Sequence, residues 1–164
     1  MDDCTRREFL GAGAGAAAAP APRGGQDRSP AYLKLGEAEL DRRARLLRDI
    51  YGACRLCPRA CGVNRLRGEK GVCRGSSRAK ISSAHAHFGE ERPLVGRGGS
   101  GTVFFSDCNL RCVYCQNWEI NHRGEGSNIG DEALGRVMTG LQDTGCHNIN
   151  VVTPTHYLDR KSVV

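Results

Sequence analysis

The chain has 164 residues, 39% of them hydrophobic and 5% aromatic, with 22 glycines and nine cysteines. That length suits one domain, or one domain with a tail, and no apolar run approaches the roughly 18 residues of a membrane-spanning helix, so an integral membrane segment is not expected. Lys and Arg exceed Asp and Glu by 24 to 18, a net charge of +6, but no basic stripe interleaved with aromatics appears, so nucleic acid is not an expected partner.

In chain order, Arg6 and Arg7 precede Phe9, Leu10 and a tract of small residues from Gly11 to Ala19. Ala17 with Ala19, or Ala19 with Ala21, supplies an A-x-A-like cleavage site. This segment resembles a twin-arginine export signal, which marks residues 1–21 as a leader outside the fold. The alternative is an alanine-rich leader or a misassigned start. Cys4 lies within the leader and would be lost with it. Residues 22–35 read as a Pro/Gly/Arg/Ser-rich linker. Leu35, Leu40, Ala44, Leu47 and Tyr51 then recur at helical spacing, predicting an amphipathic helix from about Gly36 to Ile50. Its arginines 42, 43, 45 and 48 mix with Glu37, Glu39, Asp41 and Asp49, the pattern of a solvated face.

The first cysteine cluster is Cys54-x2-Cys57-x3-Cys61-x11-Cys73. Four thiolates from one turn-rich segment can surround a zinc ion or an iron–sulfur cube, with Pro58, Gly62, Gly68, Gly71 and Gly75 permitting the turns. An exported protein could instead pair them as disulfides. Spacing alone does not separate zinc, iron–sulfur and disulfide. His85 and His87 alternate with Ala84, Ala86 and Phe88, as on one face of a strand.

Gly98 to Gly101 form a turn into a strand-like run, Thr102-Val103-Phe104-Phe105, followed by Cys108-x3-Cys112-x2-Cys115. Three thiolates on one loop can bind three corners of an iron–sulfur cube and leave the fourth iron without a protein ligand, a position open to substrate. In a plain zinc or structural site, His122 or Cys146 would have to supply the missing ligand. Further on, Asp131 is placed to cap a helix carrying Leu134, Val137, Met138 and Leu141, and Gly145 to end it. Asn148 to Val152 read as a second strand. Strand, helix and strand make a right-handed parallel βαβ unit, with the cysteine loop and the turn Thr153-Pro154-Thr155-His156 at the carboxyl ends of adjacent strands.

With these residues in view, the chain resembles the radical S-adenosylmethionine superfamily. The C-x3-C-x2-C spacing, Tyr114 just before the last cysteine, and the loop after a first strand carry the likeness. CRLCPRACGVNR, HAHFGEER, GSGTVFFSDCNLRCVYCQNWEI and HNINVVTPTHY extend it, over about Tyr51 to Tyr157, to the branch similar to pyruvate formate-lyase activating enzymes. The resemblance implies that Cys108, Cys112 and Cys115 bind a [4Fe-4S] cluster and that S-adenosylmethionine chelates its open iron, with Tyr114 near the adenine. The reduced cluster would cleave the sulfonium to methionine and a 5'-deoxyadenosyl radical, which abstracts hydrogen from the substrate. A low-potential electron donor of flavodoxin or ferredoxin type, and a protein substrate as in glycyl-radical activation, are the implied partners. The family's Gly-Gly-Glu-like motif is replaced here by Thr-Pro-Thr-His, which leaves Thr153, Thr155 and His156 as positional candidates for holding the amino group.

The expected fold is thus α/β: a helix and cysteine-rich loop region over 36–100, then over 101–164 the start of a partial (βα)6, TIM-like barrel. From Thr102 onward there is room for about two βα units at roughly 30 residues each, so the chain reads as the front, truncated portion of a larger enzyme. The competing readings are a non-catalytic iron–sulfur or zinc protein and an inactive relative. Localisation stays open, since the leader points outward and the cofactor chemistry points to the cytoplasm.

Overall fold

The computed structural model describes residues 31–158. The expected leader over 1–21 with Cys4, most of the linker over 22–35, and residues 159–164 lie outside the described residues. One compact unit ends at Lys34 and contributes a single described 3-10 turn, Ala31–Lys34. The second unit begins at Leu35 and carries everything that follows.

Helix α1, Glu37–Asp49, runs into a 3-10 turn, Ile50–Ala53. Glu37 and Glu39 sit in its first turn and Arg48 in its last, the polarity that favours the helix dipole. Arg42 and Arg43 both hold the Glu39 carboxylate, at 2.7 and 2.8 Å, and their hydrogen bonds pull its pKa down to about 2. No α1 residue is buried, whereas Tyr51, just past its end, is wholly enclosed. The helix is therefore anchored through Tyr51 rather than along its stripe.

Four strands form one sheet: β1 (Ala79–His87), β2 (Ser100–Phe105), β3 (Ser127–Ile129) and β4 (Asn148–Val152), in the order β3-β1-β2-β4. β1 runs antiparallel to both β2 and β3, while β2 and β4 are parallel, with Val103 opposite Val151. β1 comes from the segment expected to be a cysteine-rich loop region, so residues 36–100 and 101–164 share this sheet. A short helix, α2 (Arg92–Val95), has Pro in its first turn and leads from β1 into β2.

Helix α3, Asp131–Asp143, carries the chain from β3 to β4. Its N-cap is Gly130 and not Asp131, which falls one residue later and with Glu132 places negative charge in the first turn. Its other end is a Schellman motif. Gly145, at φ 86°, lets its own N–H reach Gln142 O at 2.9 Å and that of Cys146 reach Leu141 O at 3.2 Å. Leu134 and Leu141 from α3 pack with Val103 and Phe105 from β2, Ala79 from β1 and Tyr157 to form the core. On the opposite face of β2, Phe104 stacks on exposed His85, with centroids 5.5 Å apart. The result is a mixed α/β unit with α3 on the core face of the sheet.

Candidate metal centre

The second cysteine loop leaves the carboxyl end of β2 through Ser106 and Asp107, both buried. Ser106 N–H donates to Lys80 O at 2.9 Å, and its hydroxyl to Glu125 O at 2.6 Å. Asp107 adopts φ 66°, where a non-glycine residue is held only by its surroundings. Those surroundings are Lys80 Nζ, 3.2 Å from its carboxylate, and Ile120 O, which accepts its N–H at 2.8 Å. Lys80 also donates to Gly124 O at 2.9 Å. The loop is thereby tied at its root to β1 and to the π-helical turn Glu119–Arg123.

Cys108 is buried, Cys115 partly buried and Cys112 exposed. Two of the three sulfurs receive N–H donors: Leu110 N–H to Cys108 Sγ at 3.4 Å and Asn121 Nδ2 to Cys115 Sγ at 3.3 Å. Donors aimed at sulfur suit thiolate ligands, whose negative charge they stabilise. The ring of His122 stacks on Trp118, centroids 3.8 Å apart, and donates from Nε2 to Cys112 O at 2.9 Å. Arg59, from the first cysteine segment, grips the same loop through Asn109 O at 3.0 Å and Leu110 O at 3.2 Å.

Neither residue considered as a fourth ligand sits as one. His122 is engaged with the Cys112 carbonyl. Cys146 packs beside Gly101, four residues back along β2 from Phe105, about 13 Å at 3.3 Å per residue. Among the described residues, no three His, Cys, Asp or Glu side chains converge closely enough to hold one metal ion. A tetrahedral zinc with Zn–S near 2.3 Å needs its sulfurs roughly 3.8 Å apart. A cube spreads its thiolates wider, because each binds a different iron. Three thiolates on one loop, two of them receiving N–H donors, fit three corners of such a cube.

The other candidates divide. Tyr114 projects from the loop, 88% exposed. Thr153, at φ 56°, follows β4 and donates to Phe105 O at 3.0 Å, so it borders the point where the cysteine loop starts. Thr155 opens the 3-10 turn Thr155–Tyr157 and is half-buried. His156 is 1% exposed and faces elsewhere: it lines the cavity formed by Cys54, Cys57, Cys61 and Cys73. Its Nε2 donates to Ser106 O at 3.0 Å, which leaves Nδ1 unpartnered. Burial pulls its pKa down to about 4, so the imidazole is neutral.

Five non-glycine residues have positive φ among the described residues: Ala60, Arg74, Asp107, Arg111 and Thr153. Four lie within or beside the cysteine segments and the fifth ends β4. Strain of roughly 1–3 kcal/mol at each persists only where packing over-determines it, and it gathers at functional loops. The sequence reading missed Asn121, Lys80, Arg59 and Arg65. Arg59 and Arg65 carried a local signal, since both lie between cysteines of the first cluster.

Over residues 94–153 the chain matches the family model of a 4Fe-4S single cluster domain, and this iron–sulfur class is what the loop's donor set supports. The match takes in Cys108, Cys112, Cys115 and Cys146 but not Cys54, Cys57, Cys61 or Cys73. The chain is also 42% identical over 82 residues to an uncharacterized protein of Methanocaldococcus jannaschii, an alignment covering 50% of this chain and 23% of that protein. No solved structure matches. No helix among the described residues is long and apolar enough to cross a membrane.

Proposed function

We propose that Cys108, Cys112 and Cys115 bind one [4Fe-4S] cluster with an open iron, and that the chain is the cluster-bearing portion of a radical S-adenosylmethionine enzyme of the activase-like branch. The observation that carries this is a loop of three cysteines at the carboxyl end of a parallel strand, with neither His122 nor Cys146 placed as a fourth ligand. When bound, such a cluster supplies the electron that breaks the sulfonium carbon–sulfur bond of S-adenosylmethionine. Leu110 N–H and Asn121 Nδ2 stabilise the charge on two thiolates. Arg59, Lys80 and Asp107 hold the loop in its strained path. Tyr114 stands beside the cysteines as an adenine platform, and Thr153 and Thr155, at the end of the neighbouring parallel strand, are the polar groups closest in topology to the amino-acid end of the cofactor. His156 is set aside from that role by its enclosure.

The partial barrel, the low-potential electron donor and a protein substrate belong to this same proposal. The test is anaerobic reconstitution of the chain with iron and sulfide, followed by reduction with and without S-adenosylmethionine. A change in the reduced cluster's paramagnetic spectrum on adding S-adenosylmethionine, with deoxyadenosine formed above a Cys112→Ala control, is the expected result. A spectrum indifferent to S-adenosylmethionine makes the chain a structural or electron-transfer iron–sulfur protein instead.

A further inference from the structure

The four cysteines of the first cluster lie outside the segment that matches the cluster-domain model, yet the fold gathers them. Cys54, Cys57, Cys61 and Cys73 line one cavity together with Arg65 and His156. Cys54 and Cys73 are 7% exposed each, and all four are free thiols. The backbone is built to bring them there. Cys54 N–H donates to Val63 O at 2.9 Å and Gly62 N–H to Cys54 O at 3.0 Å, pinching the loop that carries Cys57 and Cys61. Within it, Ala60 N–H closes a turn on Cys57 O at 3.0 Å, using the positive φ of Ala60 and Gly62. A Cβ on Gly71 would stand 2.9 Å from Cys61 Sγ, so glycine leaves open the space beside that sulfur. Gly75 N–H points at Cys73 Sγ, 3.4 Å away.

Arg65 indicates the charge this cavity is meant to contain. Its side chain is 1% exposed, and its guanidinium donates to His156 O at 2.7 Å and to Ser76 O. It lies 4.0 Å from the centroid of the Tyr51 ring and 3.9 Å from Cys54 Sγ. No carboxylate pairs with it among the ion pairs of the described residues. A buried cation with only neutral partners is costly, by several kcal/mol after relaxation. Two disulfides would be neutral and would leave that cost standing. Four thiolates around a metal centre carry net negative charge and offset it.

We propose that Cys54, Cys57, Cys61 and Cys73 bind a second iron–sulfur cluster, of the four-thiolate [4Fe-4S] class, for which buried Arg65 is the counter-charge. Zinc takes the same four thiolates, and the iron count below separates the two. Ligation strips the four thiols of their protons, which pass to solvent. The centre adjoins the first one. Arg59 ties its loop to the carbonyls of Asn109 and Leu110, and His156 spans from its cavity to Ser106 O, two residues before Cys108.

The experiment is an iron and sulfide count on the full chain after anaerobic reconstitution, in three forms. Wild type is expected to hold about eight iron and eight sulfide atoms per chain, for two cubes. The Cys108→Ala/Cys112→Ala/Cys115→Ala variant is expected to keep about four of each, and Cys54→Ala/Cys57→Ala to lose about four. If the loop cluster proposed above is wrong and this one right, wild type holds about four and the triple variant keeps them all. A triple variant that binds no iron, stoichiometric zinc that survives reconstitution, or disulfide-linked peptides joining these four cysteines would overturn the proposal. Gly71→Leu keeps every cysteine and guards against misfolding. It should lose about four iron atoms while its circular dichroism stays that of wild type, and full iron retention there counts against the site.

Discussion

The guanidinium of Arg59 donates to the carbonyl of Asn109 at 3.0 Å, so a residue lying between two cysteines of the first segment clamps the loop that carries the second set. Its fork also reaches Leu110 O, a rigid planar pair of donors that a lysine ammonium on its flexible stem does not reproduce. Arg59→Ala should cost about 1–2 kcal/mol by freeing two carbonyls to water. In the reconstituted chain its visible cluster absorbance should bleach faster in air than wild type, with Arg59→Lys giving only partial rescue. Equal bleaching rates would mean that the clamp does not hold the loop.

Asn121 acts on one sulfur. Its Nδ2–H donates to Cys115 Sγ at 3.3 Å from a nearly buried position, 4% exposed. A donor on a ligand sulfur favours the more electron-rich, reduced cluster. Asn121→Ala is therefore expected to lower the reduction potential and to destabilise the fold by about 1 kcal/mol. An anaerobic redox titration followed by electron paramagnetic resonance reads the first effect, and urea unfolding the second.

Lys80 and Asp107 form the pair at the root of the loop, with the carboxylate side chain 5% exposed. Lys80→Met strands that carboxylate, and about 3 kcal/mol should be lost, the low end for breaking a buried pair because the lysine keeps some solvent. Lys80→Met/Asp107→Asn should recover part of the loss, since it removes the stranded charge. Urea melts of wild type, Lys80→Met, Asp107→Asn and the double variant decide the matter, and strict additivity would show the pair to be uncoupled.

Gly98 is where the turn into β2 meets the end of α3. A Cβ there would fall within the van der Waals surface of the Gly145 carbonyl, which is backbone and cannot swing away. Gly98→Ala should destabilise by about 3 kcal/mol or more by forcing β2 and the Schellman turn apart. Gly36→Ala, where nothing lies within 4 Å, is the matched control and should stay within about 1 kcal/mol of wild type. Thermal melts of the two variants separate these outcomes.

Much was legible in the sequence because it is short-range. Cysteine spacing, the helical recurrence of Leu134, Val137, Met138 and Leu141, and the left-handed glycine at 145 are set by neighbours a few residues apart. The strand Asn148–Val152 followed from its flanking turns. The four cysteines of the first cluster could be named together, but whether they share a cavity is not written in their spacing. That depends on Val63 and Gly62 bonding to Cys54, and on Tyr51 and Arg65 meeting His156 O across 105 and 91 residues of chain. His156 shows the limit most plainly. By position it follows the end of a parallel strand and reads as a cofactor residue, yet it is buried against the other cysteine set because enclosing that ring required partners from three distant segments. The sequence by itself determined which atoms can ligate metal. Only the tertiary structure decided which of them face one another and where a buried arginine demands negative charge, because burial and desolvation are properties of packing and not of local pattern.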